Sequence, residues 1–223
     1  MTARAYYEAM MSRLERLGRE QLPAIERAGA MVAEAIGGGH RAWVAKTTHC
    51  LHDELTFRAG GLMAIHILDD PIAIEAGDVV LIGTNAGTTF LTVETARIAR
   101  ERGATSIALT QLPYETDPAV IAEHPSGKKL YECADLVIDL GGQTGDGELT
   151  SPDGTFPIIP GSGVAVVLAG WMIVAEAVAR LAAAGQPPLL WQSMQVTGAT
   201  ARNTALLAAY HSTHVGYQTD GDH

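Results

Sequence analysis

The stretch DVVLIGTNAGTTFLTVETARIARER, residues 78–102, constrains the fold more than any other. Val79, Val80, Leu81 and Ile82 form a short unbroken apolar run rich in β-branched residues. Such a run reads as a strand buried on both faces, and that implies a parallel sheet. Residues 83–89, Gly-Thr-Asn-Ala-Gly-Thr-Thr, follow it, and the spacing then predicts a helix from Phe90 to Arg102 with Val93, Ala96, Ile98 and Ala99 facing inward. The loop opens onto a helix N-terminus, where unpaired N–H groups and the positive end of the dipole favour an anion. Thr84, Asn85, Thr88 and Thr89 add short donors, and Gly87 lets the backbone approach closely. A phosphate suits this loop, although an ordinary βα turn with a threonine cap would use the same residues. Neither G-x-x-x-x-G-K-[ST] nor G-x-G-x-x-G is present, so the usual nucleotide and dinucleotide loops are not indicated.

On either side of this unit strands and helices alternate. Residues 42–45 read as a first strand with residues 46–50 as its exit, residues 51–59 as a helix closed by Gly60 and Gly61, and residues 62–68 as a second strand. Further strands are expected at 106–110 and 136–140. A helical turn is expected at 119–123, a short helix at 128–133, a loop with a hairpin near residues 152–154, an apolar helix at 164–184 and a last helix at 203–210. The pattern is an α/β three-layer open sheet, mostly parallel and of flavodoxin-like or Rossmann-like topology, with ligands at the carboxyl ends of the strands. Residues 1–36 form an amphipathic helical arm restarted at Pro23, residues 37–210 the main domain, and residues 211–223 a flexible tail.

A net charge of −10 over 223 residues argues against nucleic acid or an anionic membrane as partner. Two cysteines, Cys50 and Cys133, give no disulfide framework. The first residues lack the apolar core of an export signal, and the most apolar run, residues 163–175, falls short of the ~20 residues that span a bilayer. A cytoplasmic protein is expected.

Several stretches together resemble the sugar isomerase (SIS) domain, and in particular its short single-domain, phosphoheptose-isomerase-like members. They are Phe57-Arg58-Ala59-Gly60-Gly61-Leu62, the loop 83–89, His124-Pro125-Ser126-Gly127-Lys128-Lys129-Leu130-Tyr131-Glu132, residues 134–139, Gly145-Asp146 and residues 173–177. The resemblance covers roughly residues 5–210. It implies a phosphosugar at the strand ends, no cofactor, and a homodimer or homotetramer with sites near subunit interfaces. Two departures stand out. The family's phosphate loop is serine-rich, whereas Thr84, Asn85 and Ala86 stand here, and its glycine-rich first exit is replaced by Lys46, Thr47, Thr48 and His49.

Isomerisation of a sugar phosphate needs a base that moves a proton between adjacent carbons and donors that stabilise an enediolate. Glu54, on the first helix after the strand exit, and His49 are the candidates; Glu54 could equally pair with Arg58 four residues on. Lys46, Thr47, Thr48, His124, Ser126, Lys128, Asp146 and Ser162 are candidates for holding the substrate. His49, His52 and Asp53 lie close in sequence but lack a third ligand at diagnostic spacing, so no metal site is assigned. The chemistry expected is an aldose–ketose isomerase. The alternatives are a lyase or etherase acting on an amino-sugar phosphate, and a phosphosugar sensor without turnover.

Overall fold

The computed structural model describes residues 2–47, 50–186 and 188–213. Helices α1 (Ala3–Glu20) and α2 (Leu22–Gly37) precede strand β1 (Ala42–Ala45), helix α3 (Leu51–Leu55) and strand β2 (Ile65–Leu68). Strand β3 (Val79–Gly83), helix α4 (Phe90–Glu101) and strand β4 (Thr105–Thr110) form the central unit. Helix α5 (Leu112–Glu115), strand β5 (Leu136–Asp139), the hairpin strands β6 (Leu149–Thr150) and β7 (Pro157–Ile158), and helices α6 (Ser162–Ala183) and α7 (Ala199–Thr213) complete the chain.

Five strands pair in parallel in the order β2-β1-β3-β4-β5. Side chains alternate across the sheet as a period of two demands. Ala42, Val44, Val79, Leu81, Ile107 and Leu109 face one core, with α2, α3 and α6. Trp43, Ala45, Val80, Ile82 and Ala108 face the other, with Val93, Ala96 and Ala99 of α4. The three-layer α/β sandwich expected from the alternating pattern is therefore present. The order reverses between β1 and β3, and in such sheets the crevice for a ligand opens at the carboxyl ends of the strands on either side of that reversal.

Helix α2 lies along α6, and Gly29 makes the approach possible: a Cβ there would collide with Glu176 of α6. Pro23 sits in the first turn of α2, where a missing N–H costs nothing. Helix α6 runs 22 residues and by length and composition could cross a membrane. One side of it, including Ala165, Val166, Ala169, Ile173 and Ala177, is instead buried against the sheet and α2.

Some element boundaries differ from those the sequence suggests. Helix α3 stops at Leu55 because Thr56 Oγ1 donates back to the His52 carbonyl (2.7 Å) and Phe57 turns to φ 52°. The second strand joins the sheet only from Ile65. Leu62 and Met63 pair instead with residues 189–190. A helix forms at 112–115, with Pro113 in its first turn, and not at 119–123. The helix expected at 128–133 is one 3₁₀ turn, Leu130–Glu132. Helix α7 begins four residues earlier than expected and runs to Thr213.

Candidate functional site

The β3 exit is held from below and from both sides. Thr84 is buried, its N–H donates to the Leu109 carbonyl (3.0 Å), and its Oγ1 accepts from Gly87 N–H (3.2 Å). Its hydroxyl therefore shapes the loop from within. Gly87 sits at φ 57°, a left-handed conformation natural to glycine. Thr89 occupies the N-cap of α4 with extended backbone, and its Oγ1 lies 2.9 Å from Thr92 Oγ1. The backbone N–H groups of Asn85, Ala86, Thr88, Thr89 and Phe90 have no hydrogen-bond acceptor among the described residues. Five free donors at the start of a 12-residue helix make a donor array of the kind that suits an anion.

The neighbouring exits converge on this array. Thr47 Oγ1 donates to the Gly83 carbonyl (2.9 Å), tying the β1 exit to β3 across the topological switch point. Lys46 turns outward to Asp69 (3.0 Å), both groups being more than half exposed. Thr48 and His49 lie outside the described residues. Glu54 pairs with Arg58 (3.1 Å), the i,i+4 partner its spacing offered. His52 Nε2 stands 3.5 Å from Asp53 Oδ1, and no group of three metal-ligating side chains occurs among the described residues.

Residues 117–130 run along the other flank. Glu123 N–H donates to the Thr88 carbonyl and Leu130 N–H to the Gly87 carbonyl, both at 2.9 Å. His124 stacks on Phe90, the first residue of α4, with ring centres 5.2 Å apart. Its Nε2 meets Glu94 (3.1 Å) and its Nδ1 meets Ser126 Oγ (2.7 Å), while Ser126 Oγ also accepts from Lys128 N–H (3.2 Å). The hydrogen bond from Arg97 first, and that from His124 next, hold the Glu94 carboxyl down to about 2. His124 and Ser126 thus clasp the loop to α4, and the Lys128 side chain is exposed.

A buried polar cluster stands at the ends of β4 and β5. Asp146, at φ 52°, accepts from Ser162 Oγ (2.5 Å) at the start of α6 and from Gln111 Nε2 (3.0 Å). Gln111 is fully buried, and its Oε1 has no hydrogen-bond donor. Arg13 reaches in from α1, donates to the carbonyls of Leu140 (2.9 Å) and Gly141 (3.2 Å), and pairs with Glu148. Glu115 is buried beneath Gly87; it shares a hydrogen bond with Thr110 Oγ1 and accepts from Tyr131 N–H (2.9 Å). Burial pushes its carboxyl above the ordinary range, against the lowering effect of those bonds and of Lys129.

The structure therefore brings Thr47 to the edge of the loop 83–89, sets His124 and Ser126 on the loop's flank, and joins Asp146 to Ser162. Lys46 and Glu54 it commits to surface ion pairs. Sequence reasoning missed Arg13, Gln111 and Glu115, since no motif or periodicity marks them. The only available signal was a Gln and a Glu closely following a strand that ends at a ligand-binding edge. Two further cavities, about 370 and 460 Å³, lie at the opposite end of the sheet, share Gly37, Leu181 and Gln186, and have mostly apolar walls. Nothing in them resembles the donor array of the β3 exit.

No protein-family profile matches the chain. Among solved structures it is similar to phosphoheptose isomerase of Neisseria gonorrhoeae, with 14% identity, a TM-score of 0.52, and coverage of 77% of this chain and 94% of that one. It is also similar to a Methanococcus jannaschii protein whose structure inferred a 3-hexulose-6-phosphate isomerase function, with 13% identity, a TM-score of 0.51, and coverage of 79% and 90%. At such identities the likeness establishes the sugar isomerase fold. In sequence the chain is 30% identical to a UPF0309 protein of Listeria monocytogenes over 92% of its own length and 94% of the relative's. It is 28% identical to a UPF0309 protein of Geobacillus kaustophilus, with 92% of each covered. The chain belongs to the UPF0309 family, and it is built on the sugar isomerase fold.

Proposed function

We propose that this protein binds a phosphorylated sugar at residues 83–90 and interconverts its aldose and ketose forms. The observation that carries the proposal is the set of five unpaired backbone donors at the N-terminus of α4, at the topological switch point of a parallel sheet. The phosphate occupies that seat. The sugar extends along the strand ends toward Thr47 on one side and toward Asp146 and Ser162 on the other. Glu54 acts as the base that moves the proton between C1 and C2, with His49 as its partner, once the approaching sugar draws Glu54 from Arg58. The protein works in the cytoplasm as a homodimer or homotetramer.

Two solved structures that share the fold carry isomerase in their descriptions, and the resemblance in residues 124–132 and 145–146 supports a phosphosugar as ligand. A sensor without turnover is favoured by one observation, the ion pair that already occupies Glu54. The same base could instead start an elimination from an amino-sugar phosphate. A thermal-shift screen against pentose, hexose, heptose and amino-sugar phosphates identifies the ligand, because binding to the native state raises the melting temperature. Proton NMR of each hit in deuterated water then separates the readings. Exchange of the C1 or C2 proton, abolished in Glu54→Gln, marks the isomerase. A hit with neither exchange nor product marks the sensor and refutes the isomerase for that ligand.

A further inference from the structure

The proposed reaction gives no role to Glu115, yet its buried carboxyl stands directly under the loop 83–89. Its side chain rises from the end of α5 and passes directly beneath Gly87, so that a Cβ built on Gly87 would overlap the carboxyl group. One carboxyl oxygen bonds Thr110 Oγ1 at the end of β4, and the other accepts from Tyr131 N–H at 2.9 Å. The same segment grips the loop and the acid from the backbone side. Leu130 N–H donates to the Gly87 carbonyl (2.9 Å), and Lys129 Nζ donates to the carbonyls of Glu115 (2.5 Å) and Asp117 (3.1 Å). The carboxyl group therefore sets where Gly87 lies, and with it the direction of the free N–H groups of Thr88, Thr89 and Phe90.

We propose that Glu115 is the positioning residue of the anion seat, and that filling the seat with a phosphoryl or sulfate group is linked to protonation of Glu115. The inference rests on residues 83–90 being the phosphate site. In the neutral form the acid O–H donates to Thr110 Oγ1, while the other oxygen still accepts from Tyr131 N–H, so both bonds survive. An ionised Glu115 would place a negative charge directly below the bound anion, in a region with little water to screen it. The proton taken up on binding comes from solvent. Burial already favours the neutral form. The other groups facing this site are Lys129, which stabilises the carboxylate, Glu132, which opposes it, and Cys133, whose thiol burial holds neutral. His124 and Glu94 stand on the α4 side of the loop.

The sign follows from a raised carboxyl. Below its folded value Glu115 is neutral and anions bind best; as pH rises through that value the carboxylate forms and binding weakens. Inorganic sulfate is the probe, because its own charge does not change between mildly acidic and mildly alkaline pH. Isothermal titration of sulfate into the wild type should give affinity falling roughly tenfold toward alkaline pH, the loss expected for two like charges several ångströms apart in a partly desolvated site. In Glu115→Gln, which keeps the shape, that limb should disappear although His124 remains. An unchanged limb in Glu115→Gln, or a flat profile in the wild type, overturns the proposal. Should Glu115→Gln fold poorly, wild-type titrations in two buffers of different ionisation enthalpy count the protons directly. Net uptake is expected on sulfate binding, and none would overturn the inference. Failure of sulfate and of every sugar phosphate to bind would remove the anion seat itself, and this inference with it.

Discussion

Replacing Gly87 with alanine should damage the protein by two separable mechanisms, and a double-mutant cycle with Glu115 tells them apart. The first is backbone strain: at φ 57° an alanine in the left-handed region costs about 1–2 kcal/mol. The second is overlap of the new methyl with the buried Glu115 carboxyl, which must shift away from Thr110 and Tyr131 at a cost of about 1–3 kcal/mol. Gly87→Ala should therefore cost roughly 3 kcal/mol in the wild type, or ~6–12 °C in melting temperature for a chain this long. In a Glu115→Ala background the methyl has room, and only the backbone share, about 1 kcal/mol, should remain. Glu115→Ala alone costs ~2–4 kcal/mol through two lost hydrogen bonds and their stranded partners. Urea unfolding at constant m-value measures each term. The expected coupling of roughly 2 kcal/mol lies well above the ~0.5 kcal/mol scatter of independent sites. Equal cost of Gly87→Ala in both backgrounds would refute the claim that Glu115 fills the space under the loop.

Arg13→Met strands a nearly buried Glu148 and frees the Leu140 and Gly141 carbonyls, so it should cost about 3–5 kcal/mol in urea unfolding, with Arg13→Met/Glu148→Gln recovering part of the loss. Asp78 accepts from Arg41 N–H (2.9 Å), Trp43 Nε1–H (2.7 Å) and Glu75 N–H (3.0 Å), and Asp78→Ala should cost roughly 3 kcal/mol by the same assay. Because Arg97, with His124, holds the Glu94 carboxyl well below its ordinary range, at about 2 when folded, its contribution to stability is present above its unfolded value and is lost as pH falls toward about 2. Melting curves of Glu94→Gln should accordingly be less sensitive to acid than those of the wild type over that window. Equal acid sensitivity would show that Arg97 and His124 do not hold the carboxylate. In the isotope-exchange assay Glu54→Gln should abolish turnover and leave the ligand's thermal shift nearly intact.

The sheet was legible because its strands are short apolar runs buried on both faces, and β3, with Val79 to Ile82 unbroken, is the clearest of them. The geometry of the loop 83–89 was legible too, since glycine, threonine and asparagine between such a strand and a helix carry their geometry in their chemistry. What sequence could not supply was the long-range part. Leu62 and Met63 have a strand's composition, yet they leave the sheet to pair with residues 189–190, more than a hundred positions away. Helix α3 was shortened by a single back-bond from Thr56 and a left-handed Phe57, which no periodicity records. Glu115, Gln111 and Arg13 were invisible for the same reason. A charged or amide residue in an irregular segment or on an amphipathic helix normally faces water, and only the folded chain reveals that these three are buried under the strand ends. Glu54 illustrates the converse, for the spacing offered Arg58 as a partner and the structure makes that pair.

The central claim, that a phosphorylated sugar sits on the β3 exit, is tested most directly by amide chemical shifts. A ¹⁵N-labelled sample is titrated with the sugar phosphate that stabilises the protein best in the thermal screen. The account predicts that the amides of Asn85, Ala86, Thr88, Thr89 and Phe90 move most and saturate together with the thermal shift. Movement confined to Gly37, Leu62, Leu181 and Leu189 around the apolar cavities, with residues 85–90 unmoved, would contradict it.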